Sequence, residues 1–194
     1  MIETYRRQFE SFTANGGREG PSWLPALRRV AMDQFTRAGF PTSRDEEWRF
    51  TPVSPIAQAA FEPALPATVA PSALTPFLFG HVEWPQLVFV NGKLAPELSS
   101  VPELPSGVLV GGLACALTLH PALLERHLSR YARPETTAFA ALNMALMRDG
   151  AFVYVPANTV LELPVHLLFV TTAGSAAAAY PRNLIVVERG ARAS

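Results

Sequence analysis

The chain has 194 residues, 49% of them apolar, and its 16 basic residues balance 16 acidic ones. A formal charge of zero argues against nucleic acid as the main partner, because phosphate binding needs a basic surplus. The length suits one domain with a real core or two small ones, and no apolar run is long enough to cross a bilayer. Lys93 is the only lysine, which fits a GC-rich genome better than a functional use of arginine forks. The single cysteine, Cys115, excludes an internal disulfide. No apolar signal core follows Met1–Arg7, so the expected location is the cytoplasm.

In chain order, Ile2, Tyr5, Phe9 and Phe12 fall at helical spacing, and Gly16-Gly17 ends that helix. A second helix is expected from Ser22 as N-cap, with Pro25 in its first turn. Leu24, Leu27, Ala31, Phe35 and Ala38 form its apolar stripe, and Gly39 stops it. Ser43-Arg44-Asp45-Glu46 reads as a capping box, placing Asp45, Glu46 and Glu47 at the positive end of a short helix. Ser54-Pro55-Ile56 starts another turn or two. Residues 61–76 carry Pro63, Pro66, Pro71 and Pro76 and read as an extended linker, with a short buried helix near Leu74–Phe79. Leu87–Leu94 is a hairpin turning on Asn91-Gly92, and Val108–Val110 is a further strand. Helices are expected over 120–130 and from Pro134 onward, the latter closed by Asp149-Gly150.

After Gly150 the period changes from helical to alternating. Phe152–Val155 and Leu184–Val187 read as strands, Leu161 to Phe169 as a strand with one buried face, and Ala176–Ala179 as a turn. Short strands spaced by turns suit a sandwich, a barrel or a β-solenoid, and no strict repeat selects among them. The last strand run stops without a capping device, so an open sheet edge is expected there, one that recruits another strand or a second copy of the chain.

Few residues point to chemistry. Cys115, His81, His120, His127 and His166 are the soft metal ligands, but they form no Cys-x-x-Cys or His-x-x-x-His pair, and His120 and His127 could at most share a helix face. Cys115 sits in the apolar run Gly111–Leu117 and reads as a small buried hydrophobe. One thiol cannot hold an iron–sulfur cluster by itself. Phosphate loops and a nucleophile elbow are absent. Asp45, Glu46 and Glu47 beside Trp48 are accounted for by helix capping, and Glu162 and Glu188 read as exposed strand carboxylates. No catalytic, cofactor-binding or metal residue is therefore assigned. The alternative in another class, a fragment of a β-helical carbohydrate-active enzyme, would need partners for Glu162 or Glu188.

The segments Arg44-Asp45-Glu46-Glu47-Trp48-Arg49-Phe50-Thr51 and Val88-Phe89-Val90-Asn91-Gly92-Lys93 resemble the N-terminal signatures of SufD proteins, within the SufB/SufD family. Phe139–Asn143, Asp149–Pro156 and Pro181–Ala191 resemble the entry into the core shared by SufB and SufD. The resemblance covers nearly the whole chain in the right order. It implies an α+β protein in which an N-terminal helical subdomain is followed by the first rungs of a right-handed parallel β-helix. The corresponding division is a helical region at 1–60, a Pro/Ala-rich linker at 61–80, a hairpin with helices at 81–150 and the start of the β-helix at 151–194. It further implies a non-enzymatic part of an iron–sulfur cluster assembly scaffold, with a SufB-like subunit and a SufC-like ATPase as partners of the full-length protein. This fragment is expected to bind no cofactor; any cluster would need ligands from later residues and from partners.

Overall fold

The computed structural model describes residues 2–17, 20–59, 61–172 and 176–194. Helix α1 (Ile2–Ala14) and helix α2 (Leu24–Ala38) follow the two apolar stripes, and α1 buries Tyr5, Gln8 and Phe12. Ser22 does not cap α2. Trp23 holds the cap position in a helical conformation, and Leu24 N–H donates to Pro21 O at 3.0 Å. The chain thus already curls before the helix begins, which leaves Ser22 one position too early. Gly39 ends α2 at φ 70°, with its N–H bonded to Phe35 O.

The Ser43 capping box does not form either. Asp45 instead accepts from Thr42 N–H at 2.7 Å and from the Thr42 hydroxyl at 3.2 Å, and only a single 3-10 turn, Glu46–Trp48, follows. Helix α3 (Ser54–Gln58) starts with Pro55 in its first turn. The Pro/Ala-rich stretch contains strand β1 (Glu62–Pro63) and helix α4 (Pro71–Leu74), whose Leu74 is buried. A 3-10 turn, Thr75–Phe77, completes it.

Strand β2 (Gln86–Val90) turns through Asn91 (φ 51°) and Gly92 (φ 81°) into β3 (Lys93–Leu94), as the two positive φ angles of an Asn-Gly hairpin require. The Asn91 side chain is buried. It donates to Leu65 O, and its Oδ1 accepts from Thr172 N–H, so the hairpin tip holds two distant segments. Strand β4 (Leu109–Gly112) leads into α5 (Leu113–Leu119), and α6 (Pro121–His127) follows directly. Helix α7 (Ala138–Leu146) begins four residues after Pro134, because Thr137 supplies the cap: its Oγ1 accepts from Ala140 N–H at 3.0 Å.

The remaining strands are β5 (Ala151–Val155), β6 (His166–Val170), β7 (Ala177–Ala178) and β8 (Leu184–Val187). The expected strand over Leu161–Phe169 is shorter at its start and has no single buried face: Leu161 is buried, whereas Leu163 and Phe169 are exposed. The small-residue turn at 176–179 is a strand, since Ala177 and Ala178 pair in parallel with Glu62 and Pro63.

Among the described residues three small sheets form, ordered β1-β7, β3-β2-β6 and β4-β5-β8, and none is closed. Each contains one parallel pair: β1 with β7, β2 with β6 and β5 with β8. From β5 the chain visits the second sheet at β6, the first at β7 and the third again at β8. Phe152 pairs with Leu184 and Val160 with Arg192, so the same offset of 32 residues holds across both bridges. Like residues stack across the β2–β6 pairing in the second sheet. Phe89 lies opposite Phe169 with ring centroids 4.9 Å apart, close to the spacing of neighbouring strands. The main core lies between α1, α2, α5, α6, α7 and one face of the third sheet, where Phe35, Leu113, Leu124, Met144, Phe152 and Val186 are buried together.

Candidate functional site

The densest arrangement of polar side chains lies where α7 meets the third sheet. Asp149 is buried. Its Oδ2 accepts from Leu94 N–H and its Oδ1 from Ala114 N–H, both at 2.9 Å, which joins the hairpin to the first turn of α5. Arg182 N–H donates to Asp149 O at 3.0 Å. The buried Arg182 guanidinium donates to Asn143 Oδ1, Ser129 Oγ and Ala132 O. Burial lowers its pKa from the ordinary arginine value. Asn143 Nδ2 donates to Pro181 O, and Asn183 Oδ1 accepts from Ala151 N–H, both at 2.8 Å.

Gly150 completes the junction. A Cβ built there would collide with the Arg182 carbonyl, so only glycine lets the two chain segments approach. Chemically this cluster satisfies backbone groups. Both oxygens of Asp149 accept amide protons, and the Arg182 donors face neutral acceptors, so no member is poised as an acid, base or nucleophile.

The residues singled out as metal ligands do not converge, and no group of three or more His, Cys, Asp or Glu side chains that could hold a metal ion occurs among the described residues. His81 pairs with Glu83 at 2.9 Å and stacks on Trp84. The own backbone of Glu83, with His81 beside it, lowers the Glu83 pKa. His127 bonds the Tyr131 hydroxyl, and His166 lies on β6 against Phe79. His120 stands at the break between α5 and α6, while His127 ends α6, so the shared helix face does not arise.

Cys115 is exposed, not buried. Strand β4 ends at Gly112 and α5 begins at once, which turns Cys115 outward while Ala116 and Leu117 face the core. With His120 it lines an apolar groove of about 490 Å³ that also contains Leu104, Val108, Leu119 and Phe152. Asp45, Glu46 and Glu47 are exposed around a cleft of about 330 Å³ containing Trp48 and Glu135. Neither Glu162 nor Glu188 is a strand carboxylate as expected: Glu162 lies in the irregular stretch before β6, and Glu188, half-buried, follows β8, where its N–H donates to Val155 O. No chemical motif in the sequence marks Asp149, Arg182 or Asn183; their signals are Asp149-Gly150 as a helix stop and the family-like segments Asp149–Pro156 and Pro181–Ala191.

These junction residues fall inside the segments that carry the resemblance. The family model described as SufBD protein N-terminal region matches residues 1–167. The chain belongs to the SufBD family. The iron-sulfur cluster assembly SufBD family protein slr0076 of Synechocystis sp. is 35% identical over 176 residues, covering 88% of this chain and 38% of that protein. Protein ABCI9 of Arabidopsis thaliana, of the same description, is 33% identical over 85 residues, or 44% of this chain and 18% of its own length. The ycf24 protein of Pyropia yezoensis is 32% identical over 89 residues, or 46% and 18%. This SufBD chain thus spans well under half the length of these relatives. No helix among its described residues is long and apolar enough to cross a membrane.

Proposed function

We propose that this chain is the N-terminal portion of a SufD-like subunit of a cytoplasmic iron–sulfur cluster assembly scaffold, and that it is not itself an enzyme. The observation that carries this reading is the parallel pairing of β6, β7 and β8 each on an earlier strand, in a chain whose residues 1–167 match the SufBD family model. It supports the start of a right-handed parallel β-helix, whose first layer is assembled from β1, β2 and β5. Each sheet then ends on a strand of the same later winding: β6, β7 or β8. On this reading further strands of a longer chain cover those edges. When the chain is isolated, a second copy does so.

The SufD-like assignment rests on residues 44–51, which resemble the N-terminal signature of SufD proteins. The polar junction supports a structural role, because its charged residues are used up in joining helices to sheet. The proposed partners are a SufB-like subunit and a SufC-like ATPase. Co-purification of the full-length protein with both, and restoration of cluster assembly in a strain deleted for it, are the expected results. Failure of both rejects the scaffold role. A full-length structure without strands stacked on β6, β7 and β8 rejects the β-helix.

A further inference from the structure

A further cavity, of about 460 Å³, opens between the end of α1, the start of α2, the hairpin and α5. Its lining brings together three cations from distant parts of the chain, Arg28, Lys93 and Arg148. Arg28 is only 4% exposed. Its Nη atoms donate to Gly17 O and Met147 O, and its Nε has no partner among the described residues. Arg148 and Lys93 are exposed at the cavity.

The Arg28 and Arg148 guanidinium carbons both stand 4.8 Å from the centroid of the Phe12 ring. Both guanidinium groups are therefore held against one aromatic ring. Gly17 makes this possible, since a Cβ there would lie 2.9 Å from Phe12 ring atoms. Among the described residues no carboxylate lies within ion-pair distance of these three cations; the ion pairs found are Arg6 with Glu3 and Glu10, and His81 with Glu83. Asp149 also lines the cavity, but both of its oxygens accept backbone amides. Burial first, and Arg148 second, lower the Arg28 pKa to about 10, so it remains charged at neutral pH.

We propose that this cavity binds a phosphorylated small molecule, with the phosphoryl oxygens facing Arg28, Lys93 and Arg148. Clustered cations of one sign in a concave site attract an anion, and guanidinium forks match the oxygen geometry of a phosphoryl group. A volume of several hundred Å³ admits the phosphoryl group together with a small organic body. Zero net charge is compatible with this, because the positive charge is gathered locally.

The test is calorimetric titration of the purified protein with pyrophosphate, with inorganic phosphate and with malonate, against sodium chloride of matched ionic strength. Saturable one-to-one binding of pyrophosphate is expected, weakened at least tenfold in both Arg148→Gln and Lys93→Gln. Both side chains are exposed, so unchanged circular dichroism and melting are expected for the two variants. Pyrophosphate heats matched by sodium chloride would overturn the site. Unchanged affinity in either variant would overturn the assignment of that cation, and malonate binding as tightly as pyrophosphate would overturn the phosphoryl class.

Discussion

Asp45 and Asp149 both accept two hydrogen bonds, yet they belong to two different kinds of region. Asp45 is exposed and holds Thr42, three residues away. Asp149 is buried and holds Leu94 and Ala114, 55 and 35 residues away. The 44–51 segment is a self-contained turn on the surface, where Phe50 is 89% exposed and only Trp48 reaches inward, against Phe139. The 143–150 and 181–183 segments are the joint between the helices and the sheet. Two equally conspicuous charged motifs thus carry different weights. A polar group matters to the fold in proportion to its burial and to the separation of the segments it ties.

The contrast is most exposed to failure at Gly150. Gly150→Ala is expected to cost more than about 3 kcal/mol or to abolish cooperative unfolding in urea, because the added Cβ meets Arg182 backbone. A loss below about 1 kcal/mol would mean the joint is not rigid. Asp149→Ala should cost about 2–4 kcal/mol by the same measurement, since two buried amides lose their acceptor. Asp45→Ala should cost no more than about 1 kcal/mol, as its donors can turn to water. Equal losses for the two aspartates would end the distinction between the regions.

Tyr180, next to the joint, gives a pH test. Its hydroxyl is buried without a partner among the described residues, and burial, with smaller contributions from Tyr5 and Glu62, raises its pKa. The folded state therefore keeps this proton while the unfolded chain releases it near pH ~10, so the stability from this group is fully present below that pH and is lost progressively as pH rises above it toward the higher folded-state value. Tyr180→Phe should leave stability at pH 7 unchanged or slightly higher and flatten its fall above about pH 10, followed by urea midpoints. The smallest effect is expected for Phe50→Ser, within about 0.5 kcal/mol of the parent in the same assay. A larger loss would mean that the exposed segment is part of the packed structure.

Features governed by neighbours along the chain are legible in the residues alone. Asn91-Gly92 requires positive φ and predicts the hairpin; the spacing of Ile2, Tyr5, Phe9 and Phe12 predicts α1; Gly39 ends α2. Local rules fail where a competing local partner is equally near: Ser22 against Trp23, Ser43 against Thr42 with Asp45, and Pro134 against Thr137. The outward turn of Cys115 is hidden because an apolar run does not reveal where a strand passes into a helix.

Residue order alone specifies most helices and strands, the family-like segments and the lack of common catalytic motifs. Three-dimensional packing was needed to pair Glu62–Pro63 with Ala177–Ala178, to stack Phe89 on Phe169, and to bring Asp149, Gly150, Arg182 and Asn183 to one joint. Packing likewise gathers Arg28, Lys93 and Arg148 around one cavity. The reason is physical. Helix periodicity and turn angles are set within a few residues, whereas parallel pairing and the partner of a buried polar group depend on which distant segments are packed together.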